Sequence, residues 1–476
     1  MPRSPQLAAA LDVLATLRAA GHQAYLAGGC VRDLLLGRVP ADYDVATSAT
    51  PDQVLHLFPR TFAVGAHFGV VLVVSKLLNS SEQLAPPQVA EVEQVEVATF
   101  RSDGLYSDGR HPDQVRYTLS PAEDVQRRDF TINGLLLDPL TGDTRLDESL
   151  TNPQQLIALV EDHVNGLADL NAGIIRAIGQ PARRFEEDQL RLLRAVRFAA
   201  RFGFEIDPAT FAAIRQLAPR IHAVSRERVR DELTKMLTEG RARRAFELLH
   251  STGLLAEVLP EIARMVGVAQ PPQYHPEGDV FTHTLLLLNQ LEPGCSATLA
   301  WGALLHDVGK PPTFRVAPDR IRFDGHVEVG LAIAAEILRR FRFSNDDTRQ
   351  ILALVEHHMR FADTPRMRAS TLKRFLRLER FDEHLALHRM DCLAAHGNLD
   401  NWTFVRDQLA ALPAEAVRPC PLLTGRELIA AGYRPGPAFR PMLHAAEDAQ
   451  LEGAITTPEE ALALLRAHFG PPPTTT

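Results

Sequence analysis

The sequence predicts an α+β protein, in which a mixed α/β region at the amino terminus is followed by an all-α remainder. Between residues 21 and 147, helical signals alternate with runs rich in β-branched residues. From about residue 156 onward, apolar residues recur with the helical period, and Gly and Pro separate the predicted helices. A chain of 476 residues is too long for one typical core, so we expect several domains.

Five β-rich runs are predicted to form the strands of the amino-terminal region: residues 24–27, 43–46, 70–75, 92–100 and 132–138. Residues 7–20 are apolar but include Asp12 and Arg18, which indicates an amphipathic helix and not a signal peptide. Residues 79–87 are rich in Ser, Asn and Pro, and they are predicted to form a surface loop.

The composition is that of a globular protein, with 45% hydrophobic and 23% charged residues. The four cysteines lack paired spacing, which argues against a disulfide framework or a Cys-rich zinc site and predicts a reducing, cytoplasmic location. A formal net charge of -8 argues against non-specific coating of nucleic acid. No apolar run reaches membrane-spanning length, so we expect no membrane partner.

Two glycines and two aspartates near the amino terminus form the most informative pattern. Gly28 and Gly29 would let backbone N–H groups approach a triphosphate, and Arg32 would add a cation to that cradle. Asp42 and Asp44 are one residue apart, so on a strand they would share one face and could hold Mg²⁺. The combination predicts an enzyme that transfers a nucleotide.

The segment Gly-Gly-Cys-Val-Arg-Asp-Leu-Leu-Leu-Gly at residues 28–37, followed by Asp-Tyr-Asp, resembles a known family. It is similar to the head domain of class II tRNA nucleotidyltransferases and bacterial poly(A) polymerases, in the DNA polymerase β superfamily. The resemblance implies a polymerase-β-like α/β head with Asp42 and Asp44 as catalytic Mg²⁺ ligands. Glu96, on a predicted strand, could be a third carboxylate at the metals.

The segment Arg-Arg-Asp-Phe-Thr-Ile-Asn at residues 127–133 would be read alone as an ion pair at a strand entrance. In the family that it resembles, this pattern lies beside the nucleotide sugar and triphosphate. The resemblance therefore implies that Arg128, Asp129 and Asn133 bind nucleotide. The polar, Gly-rich residues 100–112 would be read alone as an inert mobile loop. Their position resembles the flexible loop that the family uses in switching from C to A addition, which favours competence in A addition over a CC-only enzyme.

Asp188 and Arg191 are predicted to project from one face of a helix, because they are three residues apart. A carboxylate can accept a hydrogen bond from the exocyclic amino group of cytosine or adenine, while a guanidinium donates to the neighbouring ring atom. Alone, the pair would be a surface salt bridge, but Glu-Asp-Gln-Leu-Arg resembles the family's base-reading motif. Arg194 belongs to a predicted outward-facing arginine stripe beside the nucleotide: Arg191, Arg194, Arg197 and Arg201.

A second cluster of candidate ligands lies in the helical region. The order of these residues resembles the HD phosphohydrolase superfamily: His283, His306, Asp307, His326, His357, His358 and Asp391. Imidazole and carboxylate groups suit a divalent metal, whose identity stays open, and seven groups would be enough for two ions. The resemblance implies a phosphohydrolase that acts on phosphoesters.

These patterns predict four parts: a nucleotidyltransferase head (1–150), a helical neck and body for base selection and RNA binding (151–268), an HD domain (269–412) and a helical tail (413–476). The resemblance implies addition of CCA to the tRNA 3′ end from CTP and ATP. Three alternatives stay open: an A-adding-only enzyme, a poly(A) polymerase, and an HD phosphohydrolase whose head only binds RNA. The oligomeric state also stays open.

Overall fold

The computed structural model describes residues 4–62, 69–76, 92–104, 115–140, 153–273 and 275–472. The chain divides into two compact units. The amino-terminal unit comprises Met1–Met236 with Arg244–Leu259, and the carboxy-terminal unit comprises Leu237–Arg243 with Pro260–Thr476. The predicted division into four parts stays a prediction.

The described strands, in chain order, are β1 (Ala24–Ala27), β2 (Val45–Thr47), β3 (Thr61–Phe62), β4 (Val70–Lys76), β5 (Val92–Thr99), β6 (Arg101–Asp103), β7 (Val115–Tyr117), β8 (Leu135–Leu137), β9 (Val160–Asp162), β10 (Ile174–Ile175), β11 (Glu205–Ile206), β12 (Arg315–Val316) and β13 (Ile321–Arg322).

The described helices of the amino-terminal unit are α1 (Pro5–Ala19), α2 (Gly29–Leu35), α3 (Pro51–Leu57), α4 (Pro121–Gln126), α5 (Pro153–Ile157), α6 (Gly166–Ala172), α7 (Pro181–Glu187), α8 (Leu190–Phe202), α9 (Pro208–Leu217), α10 (Arg226–Thr238), α11 (Ala242–Ser251) and α12 (Leu254–Val258), of which α10 and α11 run across the unit boundary.

The described helices of the carboxy-terminal unit are α13 (Pro260–Ala263), α14 (Val280–Leu288), α15 (Ala297–Leu305), α16 (Lys310–Thr313), α17 (His326–Arg340), α18 (Asn345–His357), α19 (Ala369–Leu376), α20 (Phe381–Ala394), α21 (Asp400–Ala411), α22 (Ala414–Val417), α23 (Gly425–Ala430), α24 (Phe439–Leu451) and α25 (Pro458–Phe469). The 3₁₀ segments are Thr131–Asn133, Ala218–Ala223 and His358–Arg366.

A seven-stranded mixed sheet forms the core of the head, in the order β3-β4-β5-β2-β1-β8-β9. Strand β2 pairs in parallel with β5 and antiparallel with β1. The central strands are buried, because α1 packs against β1 and β5 through apolar residues such as Leu14 and Leu17. This burial fixes β2, which Asp42 and Asp44 precede, and β5, which carries Glu96.

The strand predictions are close, with two informative differences. Strand β1 has the predicted bounds, but β2 begins at Val45, so Asp42 and Asp44 precede the strand and do not lie within it. The Ala27 N–H still donates to the Asp44 carbonyl at 3.0 Å, which continues the pairing past the strand end. The predicted run 132–138 divides at Gly134, where an added Cβ would lie 2.7 Å from Val164.

The predicted α+β class is confirmed. Short strands nevertheless occur after residue 150, where only helices were predicted. Strand β9 pairs with β8 and belongs to the head sheet, while β10 and β11 form a parallel pair and β12 and β13 form a hairpin. Residues 79–87 and most of 100–112 lie outside the described part of the chain.

The carboxy-terminal unit packs α14, α15, α18 and α20 around buried apolar residues such as Trp301 and Leu354. These helices carry most of the candidate ligands on buried segments. His306 and His358 directly follow α15 and α18, and Asp391 lies on α20. None of the described helices is both long and apolar enough to cross a membrane.

Candidate functional site

Three carboxylates form one electrostatic group at the end of β2 and on β5. Val45 pairs with Val97 in parallel register, so Asp44 and Glu96 precede a matched pair of residues. Burial, together with the charges of Glu96 and Asp42, raises the pKa of Asp44 to about 7. Partial desolvation and the charge of Asp42 raise the pKa of Glu96. Tyr43, which separates the two aspartates in the sequence, is buried. A cation would relieve this repulsion.

The turn at Gly28 brings a cation close to the backbone beside these carboxylates. Gly28 has a φ of +75°, and an added Cβ would lie 2.8 Å from Arg128 Nη1. Both facts require glycine at this position. Arg128 pairs with Asp124 at 3.2 Å, and its charge opposes the rise in the pKa of Asp44. The predicted nucleotide residues Gly28, Gly29 and Arg128 therefore lie near the carboxylates.

A continuous network joins four of the predicted nucleotide residues. Arg32 Nη1 donates to Asn133 Oδ1 at 2.5 Å, and Asn133 Nδ2 donates to Asp129 Oδ1 at 2.9 Å. Arg194 Nη2 lies 2.7 Å from Asp129 Oδ2. Burial alone would raise the pKa of Asp129, but Arg194 and the Asn133 amide outweigh it and hold this pKa well below its usual range.

Arg32 is held on every side. It also pairs with Asp33 at 2.8 Å, and its Cζ lies 4.6 Å from the centre of the Phe202 ring. Burial lowers the pKa of its guanidinium. Arg32 therefore links Asn133 to Asp33 and to the aromatic ring of Phe202. Contact between Arg32 and phosphate stays a prediction.

The predicted helix face shared by Asp188 and Arg191 is wrong. Helix α7 ends at Glu187 and α8 begins at Leu190, with Asp188 in an extended conformation between them. The break has a local cause, because Asp188 Oδ1 accepts a hydrogen bond from the Leu190 N–H at 3.0 Å. The Arg191 N–H donates to the Asp188 carbonyl at 3.0 Å, so the two residues remain adjacent.

Both members of this pair have partners that the sequence did not identify. Asp188 Oδ2 accepts a hydrogen bond from Arg228 at 2.7 Å. Arg191 donates to Glu187 at 2.6 Å and to the Arg127 carbonyl at 3.1 Å. Arg228 lies in the charge-rich segment Ser-Arg-Glu-Arg-Val-Arg-Asp-Glu at residues 225–232, and this charge pattern is the sequence signal that could have indicated the contact.

The predicted outward-facing arginine stripe on α8 is also wrong. Arg197 is buried, and its Nε donates to Glu232 on α10 at 2.6 Å. Arg194 is held by Asp129, as described above, and approaches Glu232 at 3.9 Å. Arg194 and Arg197 turn inward because Asp129 and Glu232, from other segments, pair with them, and a helical period cannot reveal such partners.

In the carboxy-terminal unit, Asp307 lies between two sets of histidines. Its Oδ2 is 3.2 Å from His306 Nε2 and 3.9 Å from His283 Nε2. Its Oδ1 is 3.8 Å from His358 Nε2 and 3.9 Å from His326 Nε2. His283 Nε2 also lies 3.0 Å from Asp391 Oδ1. Six of the seven predicted ligands therefore meet at one place.

The hydrogen bonds of these histidines fit a metal centre. The Nδ1 atoms of His306, His326 and His358 lie 2.8, 3.0 and 2.7 Å from main-chain carbonyl oxygens, which can only accept. Each Nδ1 must therefore carry a proton, so that in the neutral imidazole Nε2 is the nitrogen with the free lone pair. Those Nε2 atoms are buried without a hydrogen-bond partner among the described residues. Burial and nearby His306 lower the pKa of His358 to about 4, which keeps it neutral.

The structure corrects the prediction for His357. Its ring centre lies 5.9 Å from that of His384 and 6.4 Å from that of Phe375. It belongs to none of the compact groups of three candidate ligands found in the described chain. His357 and His358 are consecutive at the end of α18, and consecutive residues of a helix project about 100° apart. Only His358 reaches Asp307.

A cavity of about 660 Å³ opens onto this cluster. Its lining includes candidate ligands Asp307, His326, His358 and Asp391, together with the cations Lys310 and Arg320. Lys310, three residues after Asp307, has its Nζ 2.7 Å from Asp307 Oδ2. The sequence motifs did not indicate this contact. The volume is in the range of small-molecule sites, and the cations suit an anionic ligand.

Three families match consecutive parts of the chain. Residues 24–176 match the Poly A polymerase head domain, and residues 203–266 match the family described as the probable RNA and SrmB-binding site of polymerase A. Residues 280–395 match the HD domain.

Two similar relatives are named CCA-adding enzymes. That of Geobacillus stearothermophilus is 39% identical over 259 residues, which cover 54% of this chain and 56% of the relative. That of Levilactobacillus brevis is 40% identical over 245 residues, which cover 52% of this chain and 54% of the relative. The chain thus spans about half the length of the curated relatives it matches.

Solved structures resemble the chain over nearly its full length. The CCA-adding enzyme of Bacillus stearothermophilus in complex with CTP has a TM-score of 0.69 and 26% identity, and the match covers 98% of each chain. The Thermotoga maritima CCA-adding enzyme complexed with tRNA has a TM-score of 0.57 at 17% identity, covering 98% of this chain and 97% of that one, which shows a shared fold. The resemblance drawn from the motifs is therefore confirmed.

The pair between Asp129 and Arg194 predicts a stability that depends on pH. Because the pKa of Asp129 is lowered on folding, the carboxylate stabilises the folded state above its unfolded pKa of about 3.9. That contribution is lost as the pH falls through the lower folded pKa. At pH 7, we expect Asp129→Asn to reduce the free energy of unfolding by about 1.5–3 kcal/mol.

Urea unfolding of the unchanged chain and of Asp129→Asn, repeated from pH 7 down to pH 2, measures this difference. It should shrink steadily below about pH 4. Asp12→Asn, at an exposed position of α1, is the matched control and should leave the urea midpoint unchanged. A difference that stays constant over this range would contradict the account.

Proposed function

We propose that this chain, which carries a poly(A) polymerase head domain and an HD domain, adds CCA to tRNA 3′ ends from CTP and ATP without a nucleic-acid template. The observation that carries the proposal is the carboxylate group of Asp42, Asp44 and Glu96 beside the Gly28 turn and Arg128. The similarity to CCA-adding enzymes supports CTP, ATP and tRNA as the ligands.

Asp42 and Asp44, assisted by Glu96, would hold Mg²⁺ in the head. Bound Mg²⁺ would favour ionisation of the RNA 3′-hydroxyl and neutralise the triphosphate as pyrophosphate leaves. The backbone at Gly28 and Gly29 would approach the phosphate oxygens closely, since no Cβ stands in the way, while the Gly28 N–H itself donates to the Leu135 carbonyl at 3.2 Å. Arg128 supplies positive charge at the same place.

Asp188 and Arg191 would choose the base. The Asp188 carboxylate accepts a hydrogen bond from the amino group of cytosine or adenine, whereas guanine and uracil would oppose it with a carbonyl oxygen. Arg228 offsets the cost of partly burying this carboxylate, and Glu187 holds the Arg191 guanidinium. The protein would therefore select the nucleotide through its own side chains.

The carboxy-terminal cluster supports a second activity, a metal-dependent phosphohydrolase. His283, His306, Asp307, His326, His358 and Asp391 would hold one or two divalent ions. Bound metal would lower the pKa of a water molecule that attacks a phosphoester. The buried Nε2 atoms, which have no hydrogen-bond partner among the described residues, support this assignment, and Lys310 and Arg320 would attract the anionic substrate. The metal and the physiological phosphoester stay open.

Three alternatives differ from this proposal in measurable ways. An A-adding-only enzyme would extend only tRNA that already ends in CC, and a poly(A) polymerase would add A repeatedly. An HD phosphohydrolase whose head merely binds RNA would not need Asp42 and Asp44. A cytoplasmic location stays a prediction from cysteine usage.

We expect Asp44→Ala to reduce nucleotide addition by at least about 10³-fold, because it removes a metal ligand worth several kcal/mol. Glu96→Gln should reduce nucleotide addition by about 10–100-fold, because Glu96 would only assist the two aspartates. The measurement supplies CTP, ATP or both to tRNA that ends at the discriminator base and to tRNA that ends in CC. Glu93→Gln, on the same strand, is the matched control for Glu96→Gln and should keep full activity.

Addition of CCA to the shorter tRNA supports the proposal. Extension of only the CC-ended tRNA would replace it with A addition alone. Full activity of Asp44→Ala would remove the head carboxylates from the reaction and favour an RNA-binding head.

Asp188→Asn should weaken base selection, because an amide can turn its NH₂ toward a base carbonyl. We expect discrimination of CTP over UTP to fall by about 1–3 kcal/mol, or about 5–150-fold. Steady-state kcat/KM for each nucleotide on the same tRNA measures this ratio. Asp231→Asn, at an exposed position of α10, should leave the ratio unchanged. An unaltered ratio in Asp188→Asn would refute base reading by this carboxylate.

His306→Ala should reduce hydrolysis of p-nitrophenyl phosphate and of its bis ester by about 10²-fold or more, because it removes a metal ligand. The assay runs with Mg²⁺, Mn²⁺, Co²⁺ or Ni²⁺ in turn. His357→Asn is the matched control, since His357 lies outside the cluster, and it should hydrolyse normally. Absence of hydrolysis with every metal would remove the second activity and leave the nucleotidyltransferase proposal standing.

A further inference from the structure

Glu277 contacts two histidines at the edge of the carboxy-terminal cluster. Its Oε1 lies 2.7 Å from His283 Nδ1 and 2.9 Å from His275 Nδ1. The Glu277 side chain is 7% exposed, and that of His283 is fully buried. An ionised carboxylate oxygen can only accept a hydrogen bond, so at these distances each Nδ1 is the donor. Both Nδ1 atoms therefore carry protons.

His283 differs from the other clustered histidines in where it lies on its helix. His306, His326 and His358 lie at helix ends, and each Nδ1 donates to the carbonyl three residues earlier. His283 lies inside α14, where the Asp279 carbonyl already accepts a hydrogen bond from the main-chain N–H of His283 at 3.0 Å. The carbonyl three residues before it, on Val280, accepts a hydrogen bond from Thr284 Oγ1 at 2.9 Å. An acceptor from outside the helix is therefore needed for Nδ1.

The Glu277 contact determines what His283 presents to the cluster. With Nδ1 directed to Glu277, Nε2 faces the cluster as the atom that could bind metal, 3.0 Å from Asp391 and 3.9 Å from Asp307. A carboxylate on the far nitrogen orients a ligating imidazole and makes it a better donor to metal. We propose that Glu277 is a positioning residue of the metal centre, which holds His283 in the orientation and tautomer that bind metal. This inference rests on the proposed metal centre.

The alternative is that Glu277 is itself a metal ligand, since His275, Glu277 and His283 also form a compact group of candidate ligands. Glu277 Oε2 is buried and has no hydrogen-bond partner among the described residues. The distances of 2.7 and 2.9 Å are those of hydrogen bonds, and an ion here would require His283 to ligate through both ring nitrogens. These facts favour positioning. Metal stoichiometry separates the two roles.

The test is titration of the full chain with Co²⁺ alone, followed by calorimetry and by the visible absorption of bound Co²⁺. Asp44→Ala is present throughout, so that the head carboxylates contribute less. We expect Glu277→Gln to weaken Co²⁺ binding by about 10–100-fold and to shift the Co²⁺ spectrum, with unchanged stoichiometry. His283→Ala is the positive control, and Glu328→Gln, at an exposed position of α17, is the matched control that should bind normally.

Unchanged affinity and spectrum in Glu277→Gln would overturn the inference. Loss of one metal equivalent in both Glu277→Gln and His275→Ala would also overturn it, because Glu277 would then be a ligand. If Glu277→Gln does not fold, the same titration of Glu277→Asp decides: weaker binding at constant stoichiometry supports positioning, and unchanged binding contradicts it. Normal Co²⁺ binding in both His283→Ala and His306→Ala would instead overturn the metal centre itself.

Discussion

Repulsion among Asp42, Asp44 and Glu96 is the constraint on which the proposed activity of the head depends. Folding of the mixed sheet places these carboxylates together and partly removes them from water, which raises the pKa of Asp44 to about 7. Such an arrangement is unfavourable without a cation. At the adjacent Gly28 turn, the Arg128 guanidinium lies close against the backbone and adds positive charge beside the carboxylates. These carboxylates would hold Mg²⁺, which would neutralise their repulsion and the charge of a triphosphate.

Elsewhere the chain stabilises its buried charges by pairing them. In the head, Asp129 accepts a hydrogen bond from Asn133 and pairs with Arg194. On α10, Glu232 pairs with Arg197. In the carboxy-terminal unit, Asp307 receives Lys310. By contrast, the head carboxylates repel one another, and within the described residues the Nε2 atoms of His306, His326 and His358 are buried without a hydrogen-bond partner. Buried polar groups without partners, and clusters of like charge, are where ligands are expected to bind.

Patterns of consecutive residues predicted much of this structure. They did not predict the contacts that depend on side chains elsewhere in the chain. The Gly-Gly turn and the spacing of Asp42 and Asp44 are properties of a few consecutive residues, so sequence was sufficient to propose them. The helix break at Asp188 was missed because a side chain there competes for the backbone. The inward turn of Arg197 depends on Glu232, 35 residues away, and Glu277 was missed because its partner lies inside a helix. Neither contact leaves a periodic signal.

The most direct test of the central claim is the position of Mn²⁺ in crystals of this protein grown with CTP, located by anomalous scattering. We expect Mn²⁺ within coordinating distance of the carboxylate oxygens of both Asp42 and Asp44, in contact with the triphosphate. Triphosphate bound elsewhere, or Mn²⁺ found without either carboxylate, would contradict it.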